Sequence, residues 1–107
     1  MNKCSLKILS RNDLGFISMP EDQNIIHLCF NNLLINFSKE DFFSFRRIVK
    51  DIYKDGKPIA FPDGRERILL NSPYQGINFS FDQFEIAELV RSLDEAYYME
   101  RIYSYLQ

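Results

Sequence analysis

The chain repeats itself at a fixed offset of 42 residues, and this offset constrains its fold more than any other feature. Residues 13–52 align with residues 55–94 without a gap. Ten of these 40 pairs are identical, where chance would give about two or three, so the sequence predicts an internal duplication. The string Ile-Asn-Phe-Ser occurs in both copies, at 35–38 and at 77–80. A duplication indicates how the chain folds, but it does not indicate which chemical function the protein has.

The first copy reads as three short strands followed by a helix. Its extended segments are 16–19, 25–30 and 33–37, and two asparagines between the last two form a plausible hairpin turn. Ser38 is placed to cap a helix through the amide of Asp41. Phe37 and Phe42 occupy the two positions of a hydrophobic staple, which packs a residue before the cap against one in the first turn.

The second copy predicts the same plan. Its extended segments are 59–61, 65–70 and 76–79. Ser80 with Gln83 forms a capping box, and Phe79 with Phe84 forms a second staple. A further strand, at about 6–10, precedes the first copy.

These elements predict an α+β fold in one domain, residues 1–107. Short turns between consecutive strands favour a largely antiparallel sheet with both helices packed on one face. The pseudo-repeat units are about 13–54 and 55–96, and residues 97–107 form a helical extension.

The composition indicates where in the cell we expect the protein to be. No apolar run approaches the roughly 20 residues that a membrane helix needs, and the first residues lack the apolar core of a signal peptide. We therefore expect a cytoplasmic protein that has no contact with a membrane. Two cysteines in 107 residues do not make a disulfide framework.

The end of the second helix breaks the symmetry of the repeat. A helix from 81 to about 106 would be about 39 Å long, whereas strands of five or six residues span only about 17–20 Å. Two outcomes are open: the extension folds back over the N-terminal strand, or it offers a contact surface. The residues predicted to carry contacts with a partner are Tyr98, Ile102, Tyr105 and Leu106.

Catalytic and metal-binding patterns are weak. The single histidine, His27, shares a strand face with Cys29, and Cys4 could join them from a neighbouring strand, but structural zinc usually takes four ligands and a close cysteine pair. A redox role for Cys4 and Cys29 stays open. We expect no metal, no cofactor and no catalytic site, because no nucleophile elbow or phosphate loop occurs in the sequence.

A basic stripe marks the first helix, which lies in a segment (39–67) of net charge +2 followed by one (68–107) of −4. The stripe and its aromatic neighbour are Phe43, Arg46, Arg47, Lys50 and Lys54. Their counterparts in the second copy include two glutamates, so the scaffold does not require bases there. The stripe could be a solvated face, a phosphate-binding surface, or a docking surface for an acidic protein such as the second helix of another copy. An overall pI of about 5.3 disfavours nucleic acid.

Several stretches of the chain resemble a known family. Residues 30–42 and 68–80, with 86–89 and 93–96, are similar to a family of small uncharacterised Bacteroidetes proteins, a domain of unknown function. The resemblance implies a cytoplasmic bacterial protein, and it transfers no catalytic residues.

Together these patterns favour a non-enzymatic protein–protein interaction or regulatory module. We expect it to form a homodimer, or to bind another protein, through its C-terminal helix. The alternative is an accessory protein that binds nucleic acid through the basic face of the first helix. A small-ligand pocket between sheet and helices is neither indicated nor excluded.

Overall fold

The computed structural model describes residues 6–22, 24–72 and 74–106. In chain order its elements are β1 (Leu6–Asn12), β2 (Gly15–Pro20), β3 (Ile25–Phe30), β4 (Leu33–Ser38), α1 (Lys39–Asp55), β5 (Ile59–Ala60), β6 (Glu66–Asn71), β7 (Asn78–Phe81) and α2 (Gln83–Leu106). All strand pairs are antiparallel. The α+β class and the long C-terminal helix are thus confirmed.

The first four strands form a meander in the order β1-β2-β3-β4. In β3 the residues alternate as binary patterning requires: Ile26, Leu28 and Phe30 are buried against the helices, while His27 and Cys29 face the other way. An irregularity in the register of β1 between Ile8 and Ser10 places one extra residue in this edge strand.

The last three strands form a separate sheet in the order β5-β6-β7. Among the described strands, β4 pairs only with β3 and β7 pairs only with β6. The predicted single sheet is therefore divided in two, and its halves are joined by side chains. The rings of Phe30 in β3 and Phe81 in β7 lie 5.9 Å apart, and the ring of Phe45 in α1 lies 6.4 Å from that of Phe79 in β7.

Helix α1 begins as the sequence predicts. The Ser38 hydroxyl accepts the amide of Asp41 at 3.1 Å, which satisfies one of the free N–H groups of the first turn. The rings of Phe37 and Phe42 lie 6.1 Å apart in the predicted staple. The helix ends at Asp55, and the amide of Gly56 donates to Ile52.

Helix α2 begins two residues later than predicted, so the Ser80–Gln83 cap and the Phe79–Phe84 staple are wrong. The cap is Asp82: its amide donates to Glu85 Oε1 at 2.9 Å, and the amide of Glu85 donates to Asp82 Oδ1 at 2.8 Å. Phe84 is 64% exposed. Strand β7 continues through Ser80 to Phe81, which buries the Phe81 ring and moves the helix start.

The two copies agree in only some of their strand positions, and they differ at their helices. Leu28 and Leu70, which are identical at the 42-residue offset, are both buried, whereas Ile17 is buried and its identical counterpart Ile59 is 49% exposed. In the helices, buried Phe42 corresponds to exposed Phe84 at that offset, and buried Ile86 lies two positions further along. The internal duplication remains a prediction from the sequence.

Candidate interaction site

The last turns of α2 present two different faces. On the inner face, Met99 and Tyr103 are partly buried against the core, and α2 contacts β1. Glu100 is buried on this side, with its Oε2 2.9 Å from Lys39 Nζ. Lys7 of β1 lies over the Tyr103 ring, 4.7 Å from its centroid. The inner face therefore docks on β1 and on the start of α1.

The outer face of the same turns is exposed. Its four apolar or aromatic residues are those that the sequence predicts to carry contacts, and we call them the C-terminal apolar face. They are exposed by 58% at Tyr98, 50% at Ile102, 92% at Tyr105 and 76% at Leu106. One side of this helix therefore packs on β1 and the other side is exposed, and a contact through the exposed side stays a prediction.

The basic stripe on α1 faces α2 of the same chain. Arg46 Nε lies 2.7 Å from Asp94 Oδ1, and Lys50 Nζ lies 3.0 Å from the same oxygen. The Arg46 guanidinium stacks over the Tyr97 ring, 4.0 Å from its centroid. Phe43 is half-buried and packs edge-on against Tyr97 at 5.2 Å. The opposite net charges of the two helices are thus matched within the chain.

Two cations of the stripe remain at the surface. Arg47 and Lys54 are exposed, and among the described residues neither forms an ion pair. Sequence reasoning missed the partner residues Asp94 and Tyr97. In the repeat, Asp94 corresponds to Ile52, so the alignment of the two copies carries no signal for the pairing.

His27 and Cys29 lie on the sheet face that points away from the helices. His27 Nδ1 lies 2.5 Å from Asn36 Oδ1 on the adjacent strand. Cys29 is a half-buried free thiol, and Cys4 lies outside the described residues. Within the described ranges, no three His, Cys, Asp or Glu side chains come close enough together to hold a metal ion.

A groove of about 580 Å³ opens between β4, one flank of α1 and the end of β6. Its floor is apolar, with the buried side chains of Ile35, Phe45 and Leu70. Its rim carries polar groups that include Asn36 and Asp41. We call this feature the β4–α1 groove. It arises where the two sheets separate, which the sequence does not predict.

The fold and these surfaces define a small α+β protein whose most prominent candidate site is an exposed apolar helix face. The chain belongs to DUF6686, a family of unknown function, which it matches over residues 1–106. No curated protein matches the sequence, and no solved structure matches the chain. Among the described residues, neither helix combines the length and apolar character needed to cross a bilayer.

Proposed function

We propose that this chain is a non-enzymatic interaction or regulatory module that self-associates through its C-terminal apolar face. The observation that carries the proposal is the exposure of Tyr98, Ile102, Tyr105 and Leu106 on one side of a helix whose other side is packed. Contiguous exposed apolar groups commonly mark contact surfaces, and tyrosine is enriched in the cores of interfaces.

The spacing of these residues suits helix-to-helix pairing with a second copy. Tyr98, Ile102 and Tyr105 follow each other at four and three residues, which is the spacing of the apolar seam in paired helices. A two-fold dimer would bring the same face of both copies together, so one surface suffices to cover both. The packed inner face holds the helix in place, which reduces the ordering cost of association.

The basic stripe gives weaker support to a nucleic-acid function. A phosphate would have to displace Asp94 from Arg46 and Lys50, since that carboxylate already contacts both cations. Only Arg47 and Lys54 among the four bases are exposed without an ion pair in the described part of the chain. Salt separates the two hypotheses, because phosphate binding weakens steeply as salt rises while apolar association does not.

The test compares two substitutions on the same helix. Ile102→Glu introduces a charge into the C-terminal apolar face, while Phe84→Glu introduces one at a position at the other end of α2 that is somewhat more exposed, 64% against 50%. We expect sedimentation equilibrium to give a dimer for the unmodified chain and for Phe84→Glu, and a folded monomer for Ile102→Glu. A dimer that persists in Ile102→Glu would contradict the proposal.

Point substitution is preferable to truncation here. Ending the chain after Ala96 would also remove Met99, Glu100 and Tyr103, which pack on the core or pair with Lys39. A truncated chain would therefore lose stability and association together. Ile102→Glu changes a half-exposed side chain only, so its effect on association can be read separately from folding.

A further inference from the structure

We propose that the β4–α1 groove binds an extended peptide segment of another protein, which adds as a strand to the free edge of β4. The segment would place apolar side chains on the groove floor and a lysine or arginine beside Asp41. This function is separate from self-association, because no residue of the C-terminal apolar face lines the groove.

The free edge of β4 follows from its hairpin with β3. Phe30 and Leu33 face each other across the two-residue turn, and Asn31 has φ 54°, which a type II′ turn requires at its first central residue. The pair that flanks such a turn exchanges both backbone hydrogen bonds, and pairs alternate from there. The backbone N–H and C=O of Leu34 and Asn36 therefore point away from β3.

No strand of the described chain takes up these outward groups. The order of the first sheet ends at β4, and the neighbouring sheet pairs β7 only with β6. The groove opens beside Asn36, at the point where the two sheets separate. A strand added to β4 would lie about 4.8 Å from it, within this opening. Peptides bind in this manner to exposed sheet edges that run beside a helix or groove.

The groove floor supplies sites for alternate side chains. Successive residues of a strand point to opposite faces, so every second side chain of the peptide would face the floor. Ile35, Phe45 and Leu70 form that floor, and Ile48 and Ile52 of α1 form a wall. Ile48 is 50% exposed, so an apolar peptide side chain would remove part of it from water.

The charge of the residues that line the groove determines which kind of peptide fits it. Asp41 is the one charged residue among the described lining residues, and it makes no ion pair within the described chain. Three bases of α1 are paired elsewhere, since Lys39 pairs with Glu100 and both Arg46 and Lys50 pair with Asp94. The Asp41 carboxylate favours a cationic side chain and opposes the free carboxylate of a chain end. The geometry therefore points to an internal basic–apolar segment.

The test begins with a random seven-residue peptide library displayed on phage and selected against the full chain. We expect enriched peptides with apolar residues at alternate positions and a lysine or arginine. Hydrogen exchange in the free protein should be fast at the Asn36 amide and slow at Ile35 and Phe37. Bound peptide should then protect Asn36.

Two pairs of variants locate the contact. Asn36→Pro removes the outward N–H but spares the β3–β4 ladder, whereas Asn36→Ala keeps the N–H and removes only the side chain. We expect fluorescence anisotropy to show about tenfold weaker peptide binding for Asn36→Pro and little change for Asn36→Ala. Ile48→Lys should abolish binding, and Tyr53→Lys, at an exposed position of α1 outside the groove, should not.

Several results would overturn the inference. One is a selection that enriches no peptide over the Ile48→Lys protein, and another is unchanged peptide affinity in a folded Asn36→Pro variant. If Asn36→Pro does not fold, the Ile48→Lys pair and the protection of the Asn36 amide decide alone. A change of solution mass in Ile48→Lys would identify a second copy as the occupant instead. Occupation by the dye 1-anilino-8-naphthalenesulfonate without any peptide binding would indicate a small apolar ligand.

Discussion

Lys39 and Glu100 connect the first residue of α1 to the tail of α2, with Lys39 Nζ 2.9 Å from Glu100 Oε2. The Glu100 side chain is only 6% exposed, whereas that of Lys39 is 29% exposed. A carboxylate this buried depends on its cation, because an unpaired charge is strongly disfavoured away from water. Glu100 thus lies on the packed side of α2, away from the exposed residues of the C-terminal apolar face.

Loss of the cation should therefore destabilise the fold. We expect Lys39→Ala to lower the free energy of unfolding by about 1–3 kcal/mol, since it leaves the Glu100 carboxylate buried without a partner. The midpoint of urea denaturation measures the change. Arg47→Ala, which removes an exposed base of the same helix, should stay within about 0.5 kcal/mol of the unmodified chain. Equal effects of the two substitutions would show that the pair contributes nothing.

The contact of Arg46 with Tyr97 should show energetic coupling. The Arg46 guanidinium lies 4.0 Å from the Tyr97 ring centroid and also pairs with Asp94. A double-mutant cycle with Arg46→Ala and Tyr97→Leu should give an interaction free energy of about 0.5–2 kcal/mol by urea denaturation. Additive effects of the two substitutions would mean that the stacking does not stabilise the α1–α2 contact.

Gly15 should resist any side chain for steric reasons. A Cβ at this position would overlap the carbonyl oxygen of Cys29 on the neighbouring strand, and backbone cannot move aside cheaply. We expect Gly15→Ala to cost about 1–3 kcal/mol of stability. Gly64 is a useful comparison, because it has φ +82° but open space around it. Gly64→Ala should cost only about 1–2 kcal/mol, from backbone conformation alone. An unchanged denaturation midpoint in the Gly15→Ala variant would contradict the close approach of β2 and β3.

Asp63 should titrate at lower pH than an ordinary aspartate. Arg67 Nη2 donates to its Oδ2 at 2.8 Å, and the Arg65 amide donates to its Oδ1 at 3.0 Å. These bonds lower the pKa of the carboxyl, with the Arg67 side chain as the main cause. The associated stabilisation is present above the pKa of the unfolded chain and is lost as pH falls through the folded pKa. NMR titration should show the low pKa and its rise in Arg67→Gln. An unshifted pKa in the unmodified chain would contradict this geometry.

Local signals in the sequence predicted the local structure. The Ser38 cap and the Phe37–Phe42 staple both lie within the six residues 37–42, so a short-range pattern specifies them. The start of α2 is harder to predict from the sequence, since Ser80 and Asp82 are both good caps with an acceptor three residues later. Burial of Phe81 in the core favours the later cap, and burial depends on the tertiary structure.

The candidate sites likewise differ in whether local sequence or tertiary structure determines them. The C-terminal apolar face follows from helical periodicity and from the length of α2 relative to the strands. The pairing of Arg46 with Asp94 spans 48 residues in sequence, and no local pattern specifies it. The β4–α1 groove lies beside β4, α1 and the end of β6, where the two sheets are separate. Local patterns in the sequence do not specify how the two sheets are positioned relative to each other.

The solution mass of the unmodified chain tests the central claim most directly. Light scattering across a range of protein concentrations should give about twice the 12.7 kDa of a single chain. Raising the salt concentration should preserve or strengthen the dimer, because the contact is apolar. A mass of one chain at every concentration would contradict self-association through the C-terminal apolar face.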